Sequence, residues 1–339
     1  MDVQNAIARW ESEGGAIPQV QTSRTHFKAL TLRRILVPID FSPESLKTLR
    51  YAKRLGDRFG AKLHLVHVVT PLPAFLPQRT PLPANLLEEL AATPRDRLQE
   101  LAADCSLPMR PRPYSVAIGG IADEISKVAH TMRAELIAIA TRGYTGLKRA
   151  LVGSTTESVV RNAPCPVLVV RESERASSSR RVRKSPLQVR KILVPLDFSE
   201  ASRLGLEYAL AFAQEFHSTV VLFHAVVVSG LVVSNRYTAL QLPALIESQQ
   251  DYAKGEMEEL RQAISRKGGE VTTKITVGSP VEQIAKFVAK AGVDLIITST
   301  HGRTGLSRAF IGSTAERVVR YATCPVLVVP NRFSHQERA

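Results

Sequence analysis

The sequence is poor in cysteine and in aromatic residues. Three cysteines, Cys105, Cys165 and Cys324, occur among 339 residues, and aromatic side chains make up 6%. Three thiols cannot form a framework of paired disulfides, so a small disulfide-stapled fold is excluded. Cys165 and Cys324 each precede an apolar segment. We therefore interpret them as small buried hydrophobic residues of a protein in a reducing compartment.

Long hydrophobic runs are also missing. No apolar segment approaches the about 20 residues that span a bilayer. The first residues do not combine a basic region with an apolar stretch, so no secretory signal is expected. A hydrophobic content of 44% still allows ordinary buried cores. These features favour a soluble cytoplasmic protein with no membrane partner.

Several catalytic and nucleotide-binding motifs do not occur. The sequence contains no G-x-x-x-x-G-K-[ST], no G-x-G-x-x-G after its first predicted strand, no G-x-S-x-G, no H-E-x-x-H and no paired C-x-x-C. Walker-type chemistry, dinucleotide binding, a hydrolase elbow and a zinc site are therefore not indicated. We predict no catalytic residues and no metal ligands, so enzymatic activity would be at most a weak ATPase.

The net charge of +14 is unevenly distributed. The segment 171–191 alone has eight Lys or Arg residues against two Glu. It is rich in serine and contains a proline, as linkers often are. A basic linker can contact nucleic acid, accept phosphorylation or act as a soluble spacer. No aromatic residue lies among its basic ones, so base stacking is not indicated and the spacer is favoured.

One stretch of sequence occurs twice. Ala140–Val170 reappears as Ser299–Val329 at an offset of 159 residues, and Arg34–Ser42 reappears as Lys191–Ser199 at an offset of 157. The chain therefore contains two copies of one domain, each of ordinary size. The predicted organisation is an N-terminal extension (1–31), domain 1 (32–171), a basic Ser-rich linker (172–189), domain 2 (190–330) and a C-terminal tail (331–339).

Each copy alternates strand and helix patterns. Short apolar runs predict strands at 34–39, 62–69, 113–118, 135–140, 166–170, 191–196, 218–226, 271–277, 294–299 and 325–329. Helices are predicted from Ser42 to a stop at Gly56, and at 84–103, 121–132, 154–162, 200–216, 242–266, 280–291 and 313–321. Such alternation is typical of doubly wound α/β domains with parallel sheets, which bind ligands beyond the carboxyl ends of their strands.

The repeated glycine-rich loop is a candidate phosphate site. It runs from Gly143 to Gly153 and enters a helix at Ser154, which is also a candidate N-cap. Unpaired amides at a helix N-terminus, a glycine and the hydroxyls of Ser154 and Thr155 suit an anion. Gly312, Ser313 and Thr314 repeat the arrangement. The alternative interpretation is a glycine turn followed by an ordinary N-cap.

An aspartate follows the first strand of each copy. Asp40 and Asp197 could accept hydrogen bonds from an adenine amino group or a ribose hydroxyl, or could be ordinary helix-entry turn residues. His67 and His224 lie within predicted strands, and we interpret both as structural. Arg149 and Arg308 recur in the glycine loop, where they either neutralise phosphates or are solvated.

Together, I-L-V-P-x-D-x-S, the small-residue–x-x-G–nine residues–G-S loop and the final P-V-L-V-V resemble the universal stress protein family in its tandem form. The resemblance implies a five-stranded parallel sheet of the adenine nucleotide α-hydrolase-like type in each half, and a subset of the family binds ATP. We therefore expect ATP as cofactor, with or without Mg²⁺. Carried over by motif, the residues for adenine and ribose are Pro38, Asp40 and Val68 in domain 1, and Pro195, Asp197 and Ala225 in domain 2. Those for the phosphates are Arg142, Gly143, Gly153, Ser154, Thr155, His301, Gly302, Gly312, Ser313 and Thr314.

The loop departs from the nucleotide-binding pattern at its leading glycine, which is Ala140 in the first copy and Ser299 in the second. A side chain there is costly if the position needs a positive φ or leaves no room for a Cβ atom. Weakened and lost binding are both compatible with such small substitutes. The second copy is nearer to the family pattern and is slightly favoured as the binding half.

The final strand of each copy predicts how the halves assemble. Each strand is short, apolar and expected at a sheet edge, where unpaired backbone groups invite pairing. Since the family dimerises through this strand, the two domains are expected to form a pseudo-dimer within one chain, with a homodimer of chains as a further option. Three functions remain open: a nucleotide-binding stress or signalling module, a slow ATPase, and a nucleotide-independent interaction protein.

Overall fold

The structure is a computed structural model that describes residues 31–70, 84–141, 153–171, 186–227, 236–266, 268–300 and 312–331. The N-terminal extension, most of the basic linker and most of the C-terminal tail therefore lie outside the described residues. Within those residues, no helix is both long enough and apolar enough to cross a membrane.

The first half alternates strands and helices in the predicted order. Its strands are β1 (Arg34–Pro38), β2 (Lys62–Val69), β3 (Tyr114–Ile118), β4 (Leu136–Ala140) and β5 (Val167–Val170). Its helices are α1 (Pro43–Phe59), α2 (Ala84–Asp104), α3 (Ile121–Thr131) and α4 (Ser154–Asn162).

The second half repeats this order. Its strands are β6 (Lys191–Pro195), β7 (Thr219–Val226), β8 (Val271–Val277), β9 (Leu295–Ser299) and β10 (Val326–Val329). Its helices are α5 (Glu200–Phe216), α6 (Arg236–Ser265), α7 (Pro280–Ala291) and α8 (Ser313–Tyr321). Helix α6 begins before the predicted residue 242, so Pro243 lies inside the helix. A proline removes one hydrogen bond of a helix, and the turns on either side of it can remain helical.

The prediction that α1 stops at Gly56 is wrong. The helix continues to Phe59 and ends at Gly60, whose φ of +67° is left-handed. Gly56 is instead required for packing, because a Cβ atom there would lie 2.5 Å from Leu63 Cδ1. A glycine thus lets α1 approach β2 closely.

All ten described strands form one sheet, in the order β3-β2-β1-β4-β5-β10-β9-β6-β7-β8. Every neighbouring pair is parallel except β5 and β10, which are antiparallel. In the first half the chain runs from β1 outward to β2 and β3, and then returns to the opposite side of β1 with β4 and β5. The second half repeats this path from β6. Buried side chains of α1, α2, α5 and α6 pack on one face of the sheet, and those of α3, α4, α7 and α8 on the other. The predicted doubly wound α/β fold is therefore confirmed.

The two halves pair through their final strands, as a pseudo-dimer within one chain. Leu168 of β5 lies opposite Leu327 of β10, and these two leucines are repeat-related. The strands β5 and β10 consequently lie at the centre of the sheet, not at its edges, which are formed by β3 and β8. Each of these strands is the edge of its own half's five strands, as predicted, and the two edges pair so that each covers the other's backbone groups.

Contacts between helices extend this junction. The rings of Phe59 and Phe216 meet edge to face with their centroids 5.9 Å apart. Next to them, Arg58 Nε lies 2.9 Å from Glu215 Oε1. Both pairs join repeat-related positions, 157 residues apart. At the second pair the charges are opposite, so the two halves are complementary at this point of the junction.

Candidate functional site

The carboxyl ends of β1 and β4 meet at the point where the winding of the first half reverses. The two strands are neighbours, with Leu36 opposite Ile137. Asp40 follows β1, and the glycine loop follows β4. The second half repeats this with β6, Asp197 and β9. Crevices at such points are the usual ligand sites of open α/β sheets.

Both ends of each glycine loop are held together by a backbone hydrogen bond. Gly153 N donates to Thr141 O at 2.9 Å, and Gly312 N donates to Thr300 O at 2.6 Å. These bonds hold the start of α4 beside the end of β4, and the start of α8 beside the end of β9. The predicted phosphate residues Arg142, Gly143, His301 and Gly302 lie outside the described residues, as do Arg149 and Arg308.

The helices α4 and α8 begin without a side-chain cap. Their N-caps are Gly153 and Gly312, and among the residues that the structure describes no side chain caps either first turn. The candidate cap Ser154 is instead the first residue of α4. By contrast, α1 is capped by the Ser42 hydroxyl and α5 by the Ser199 hydroxyl. The first-turn amides of α4 and α8 therefore keep their capacity to donate to an anion.

The hydroxyl residues predicted for phosphate lie in these first turns. Ser154 and Ser313 are exposed, whereas Thr155 and Thr314 are half-buried. The next residue differs between the halves. In α4, Thr156 is buried and donates from Oγ1 to Ala140 O at 2.8 Å, whereas the repeat-related residue of α8 is Ala315. The hydroxyl of Thr156 therefore anchors the start of α4 on β4.

The aspartates after β1 and β6 organise the entry of the following helices. Asp40 Oδ1 accepts from the Ser42 amide at 3.0 Å and from the Ser42 hydroxyl at 2.6 Å. Asp197 and Ser199 repeat both bonds at 3.1 and 2.6 Å. The helix-entry role is thus present, and a carboxylate has further acceptor sites beyond those that these bonds use.

The pKa of Asp40 is lowered from its ordinary value. Burial acts in the raising direction, but hydrogen bonds from the hydroxyls of Ser42 and Ser45 and from backbone amides outweigh it. Hydrogen bonds to the ionised form favour that form. Asp40 is therefore a carboxylate at neutral pH.

The residue after each aspartate has a left-handed backbone. Phe41 has φ +62° and Phe198 has φ +64°, which is costly for a bulky side chain. Each ring packs on a histidine, with centroids 4.9 Å apart for Phe41 and His67 and 4.6 Å apart for Phe198 and His224.

The two histidines are held by carbonyl groups. Nδ1 of His67 lies 2.7 Å from Ile39 O, and Nδ1 of His224 lies 2.8 Å from Leu196 O. Because a carbonyl only accepts, Nδ1 carries the proton in both rings. This agrees with the structural role that the sequence predicts for them.

The two halves differ in the side chain that packs against the ring of Phe41 or of Phe198. The guanidinium of Arg97 lies over the Phe41 ring, with Cζ 3.8 Å from the centroid. In the second half, Tyr252 meets Phe198 edge to face at 6.1 Å. The rim of the first site is therefore cationic where that of the second is aromatic.

The residues predicted for adenine and ribose lie at the same edge of the sheet. Pro38 and Pro195 end β1 and β6, and Val68 and Ala225 are the last residues but one of β2 and β7. Ile39 N donates to Val66 O and Leu196 N to Phe223 O, both at 2.8 Å, which keeps each pair of strand ends together.

The leading position of the glycine loop accommodates a small side chain. Ala140 and Ser299 are the last residues of β4 and β9, where the backbone is extended. Because side chains alternate along a strand, and Ala138 and Ile297 lie in the core beneath α1 and α5, Ala140 and Ser299 face those helices. Neither Ala140 nor Ser299 therefore needs a positive φ, which was the first of the two costs considered for this position.

The helix that packs on this part of the sheet differs between the halves. In α1 the residue is the buried Thr48, and the repeat-related residue of α5 is Gly205. A Cβ atom at Gly205 would lie 3.6 Å from Ser299 N, so α5 is close to β9 at this point.

The structure brings together Pro38, Asp40, Val68, Ala140 and the first turn of α4, and does the same in the second half. Sequence reasoning missed Phe41 and Phe198, although the repeated D-F-S was a signal for them. It also missed Arg97, Tyr252 and Arg320, whose contacts join segments distant in sequence.

The fold and site define a protein of tandem doubly wound α/β domains, in which a helix with a glycine N-cap begins at each switch point. The chain belongs to the universal stress protein family, because the sequence model of that family matches residues 31–171 and 188–330. This confirms the identification from the sequence motifs.

Individual relatives support this assignment. A universal stress protein of Mycolicibacterium smegmatis is 25% identical over 303 residues, which cover 88% of this chain and 97% of that protein. One of Methanocaldococcus jannaschii is 33% identical over 140 residues, which cover 41% of this chain and 81% of that protein. The crystal structure of a universal stress protein from Archaeoglobus fulgidus has a TM-score of 0.62 and 20% identity, covers 90% of this chain and 97% of that one, and supports the fold.

Proposed function

We propose that this protein binds ATP or a related adenine nucleotide at the carboxyl edge of its sheet and acts as a non-catalytic stress-response or signalling module in the cytoplasm. The observation that carries the proposal is the neighbourhood of Asp40 and the uncapped first turn of α4 at one switch point, repeated by Asp197 and α8. Family membership adds the adenine nucleotide, since a subset of the family binds ATP.

The two groups suit opposite ends of a nucleotide. The first-turn amides of α4 and α8 favour an anion such as a phosphate group. The carboxylates of Asp40 and Asp197 favour donors such as a ribose hydroxyl or an adenine amino group. Pro38, Val68, Pro195 and Ala225 lie at the strand ends beside them. Both halves have these features, so we propose a site in each.

The test begins with the nucleotide content of the purified protein. The protein is denatured, the released small molecules are identified by chromatography and mass, and ATP is titrated calorimetrically. Bound adenine nucleotide or a saturable ATP titration supports the proposal. If neither is found, nucleotide binding is refuted and the nucleotide-independent interaction protein becomes the preferred function. If the protein also hydrolyses ATP with a metal requirement, and Asp197→Ala abolishes the turnover, the non-catalytic assignment is wrong.

Two variants, Gly153→Val and Gly312→Val, test whether ATP binds in the first half, in the second half or in both. Gly153 has φ −67° and ψ +145°, and Gly312 has φ −55° and ψ +138°, which are conformations open to valine. We therefore expect Gly153→Val and Gly312→Val to fold while crowding the approach of an anion to the amides. Each should weaken ATP binding in its own half by at least about tenfold, the loss that one charge-assisted hydrogen bond or more would cause.

Gly120 offers a matched control. It is the N-cap of α3, with φ −69° and ψ +125° and no side-chain cap, but it lies beyond β3 and away from the switch point. Gly120→Val should leave the ATP titration unchanged. Equal losses in all three variants would show a general effect on folding and would contradict the proposed position of the phosphates.

A further inference from the structure

One arginine joins the candidate phosphate helices of the two halves. Arg320, in the last turn of α8, places its guanidinium 2.9 Å from Glu157 Oε1 in the first turn of α4. It also lies 3.0 Å from Glu316 Oε1, in the first turn of its own helix. The carbonyl of Arg320 accepts a hydrogen bond from the Arg171 guanidinium at 3.0 Å. This arginine thus crosses the junction and contacts both first-turn glutamates.

The repeat-related arginine of the first half does not act in this way. Arg161 occupies the last turn of α4, 159 residues before Arg320, but it is exposed. In the ion pairs of the described residues, Glu157 and Glu316 both pair with Arg320, and no pair involves Arg161. The junction is therefore asymmetric, and the second half supplies the charge for both helices.

Because Glu157 lies in the first turn of α4, its contact with Arg320 bears on the candidate phosphate site of the first half. Glu157 N forms the first helical hydrogen bond of α4, to Gly153 O at 3.1 Å. Four residues of helix correspond to about 6 Å along its axis. Glu157 is thus in the first turn of α4, where its negative charge disfavours an anion at the helix start, and a paired arginine offsets that effect.

We propose that Arg320 sets the phosphate affinity of the first half by neutralising Glu157, so that the second half regulates the site of the first. The inference rests on the proposed function, since it needs a nucleotide phosphate at the start of α4. Arg320 acts here as a positioning and charge-compensating residue, not as a direct ligand. The effect grows with the charge of the ligand and is absent for an uncharged nucleoside.

The test compares ATP with adenosine in full-length protein. The Gly312→Val background confines ATP binding to the first half. In this background, Arg320→Gln, Arg161→Gln and the double variant Arg320→Gln/Glu157→Gln are titrated at low ionic strength. We expect Arg320→Gln to weaken ATP binding about three- to tenfold, as the loss of one nearby compensating charge in a partly solvated site predicts. Adenosine binding should change less than about twofold in every variant.

The two other variants distinguish charge compensation from a general structural effect. Arg161→Gln should leave ATP binding within about twofold of the background, because the exposed Arg161 does not neutralise Glu157. Removing Glu157 together with Arg320 should restore ATP affinity, because no uncompensated carboxylate then remains in the first turn of α4. Equal weakening of ATP and adenosine, or an absence of rescue, would overturn the inference.

The remaining outcomes separate this inference from the proposed function. If the wild type binds no adenine nucleotide, both fail. If the wild type binds ATP and Arg320→Gln binds it equally well, the inference alone fails. If ATP binds the wild type but not the Gly312→Val background, the first half has no site, and the inference again fails alone.

Discussion

The carboxylate of Asp40 and the hydroxyl of Ser42 form a 2.6 Å hydrogen bond, and Ser42 Oγ in turn accepts from Ser45 N at 3.1 Å to cap α1. The same chain of bonds recurs from Asp197 through Ser199 to Ser202 N. Asp40 therefore combines two roles: it orients the N-cap of α1 and presents a negative charge at the candidate site.

Replacing Asp40 should separate these roles. Asp40→Ala removes the acceptor for two hydrogen bonds and should lower the free energy of unfolding by about 1–3 kcal/mol. Asp40→Asn keeps an acceptor oxygen and should cost less than about 1 kcal/mol. Urea denaturation at pH 7 measures both. Equal losses in the two variants would show that the charge, not the acceptor, stabilises the turn.

The difference between wild type and Asp40→Asn should depend on pH. The folded pKa of Asp40 is below its ordinary value of 3.8 because the hydrogen bonds outweigh burial. Its ionisation therefore contributes stability that is full above that ordinary value and is lost as the pH falls through the folded pKa. The wild type should lose more stability than Asp40→Asn between pH 5 and strong acid, as urea midpoints would record. A constant difference over this range would contradict the lowered pKa.

Two helical glycines should respond oppositely to alanine. Gly255, in α6, has no heavy atom within 4 Å of a new Cβ, so Gly255→Ala should raise the free energy of unfolding by about 0.5–1 kcal/mol. At Gly56 the new Cβ would lie 2.5 Å from Leu63 Cδ1 and 3.1 Å from Ala61 O. Gly56→Ala should therefore destabilise by about 1–3 kcal/mol through overpacking. Chemical denaturation measures the change in the free energy of unfolding for each variant. If both substitutions stabilise the protein, the close approach of α1 and β2 is refuted.

The ends of α1 and α5 offer a second matched pair. Gly60 and His217 are repeat-related C-caps, with φ +67° and +55°. A left-handed backbone costs a non-glycine residue roughly 1–2 kcal/mol. We expect His217→Gly to stabilise, and Gly60→Ala to destabilise, by about 1 kcal/mol each. No atom lies within 4 Å of a Cβ at Gly60, so steric contact adds nothing there. Thermal unfolding of both variants would test the two signs together.

The three thiols should differ in reactivity. Burial, with a small contribution from a nearby carboxylate, raises the pKa of Cys165 and of Cys324 to about 12. Cys105 is half-buried, and its pKa is raised by burial and by Asp104. Since the thiolate reacts, native protein should show one accessible thiol and urea-unfolded protein three. Cys105→Ser is the control, because it should remove the native reaction. Rapid labelling that persists in this variant would show that the buried thiols are accessible.

Local sequence signals predicted most elements because they act over a few residues. Ser42 with Pro43 predicted the start of α1, and the hydroxyl of Ser42 caps it. The bounds of α4, α5, α7 and α8 agree with prediction. The same local logic failed at Gly56, because a glycine within a helix and a glycine at its end look alike until the neighbouring strand is in place.

The candidate site was predictable only in part. Pro38, Asp40 and Val68 follow from motifs at strand ends, and the strand order then brings those ends together. At Ser154 the sequence suggested a cap, whereas Gly153 occupies that position and leaves the amides without one. The cation of Arg97 over the Phe41 ring depends on the packing of α2, which no local pattern encodes.

By itself, the sequence determined that the protein is a tandem repeat of one α/β domain and which family it belongs to, because repeats, strand runs and motif spacing are properties of the linear chain. The tertiary structure alone decided that Leu168 and Leu327 lie opposite each other in an antiparallel pair of strands, and that Arg320 rather than Arg161 pairs with Glu157. Such pairings depend on which groups are brought within a few ångströms after the chain has folded. Two repeat-related arginines, similar in local sequence, therefore have different environments.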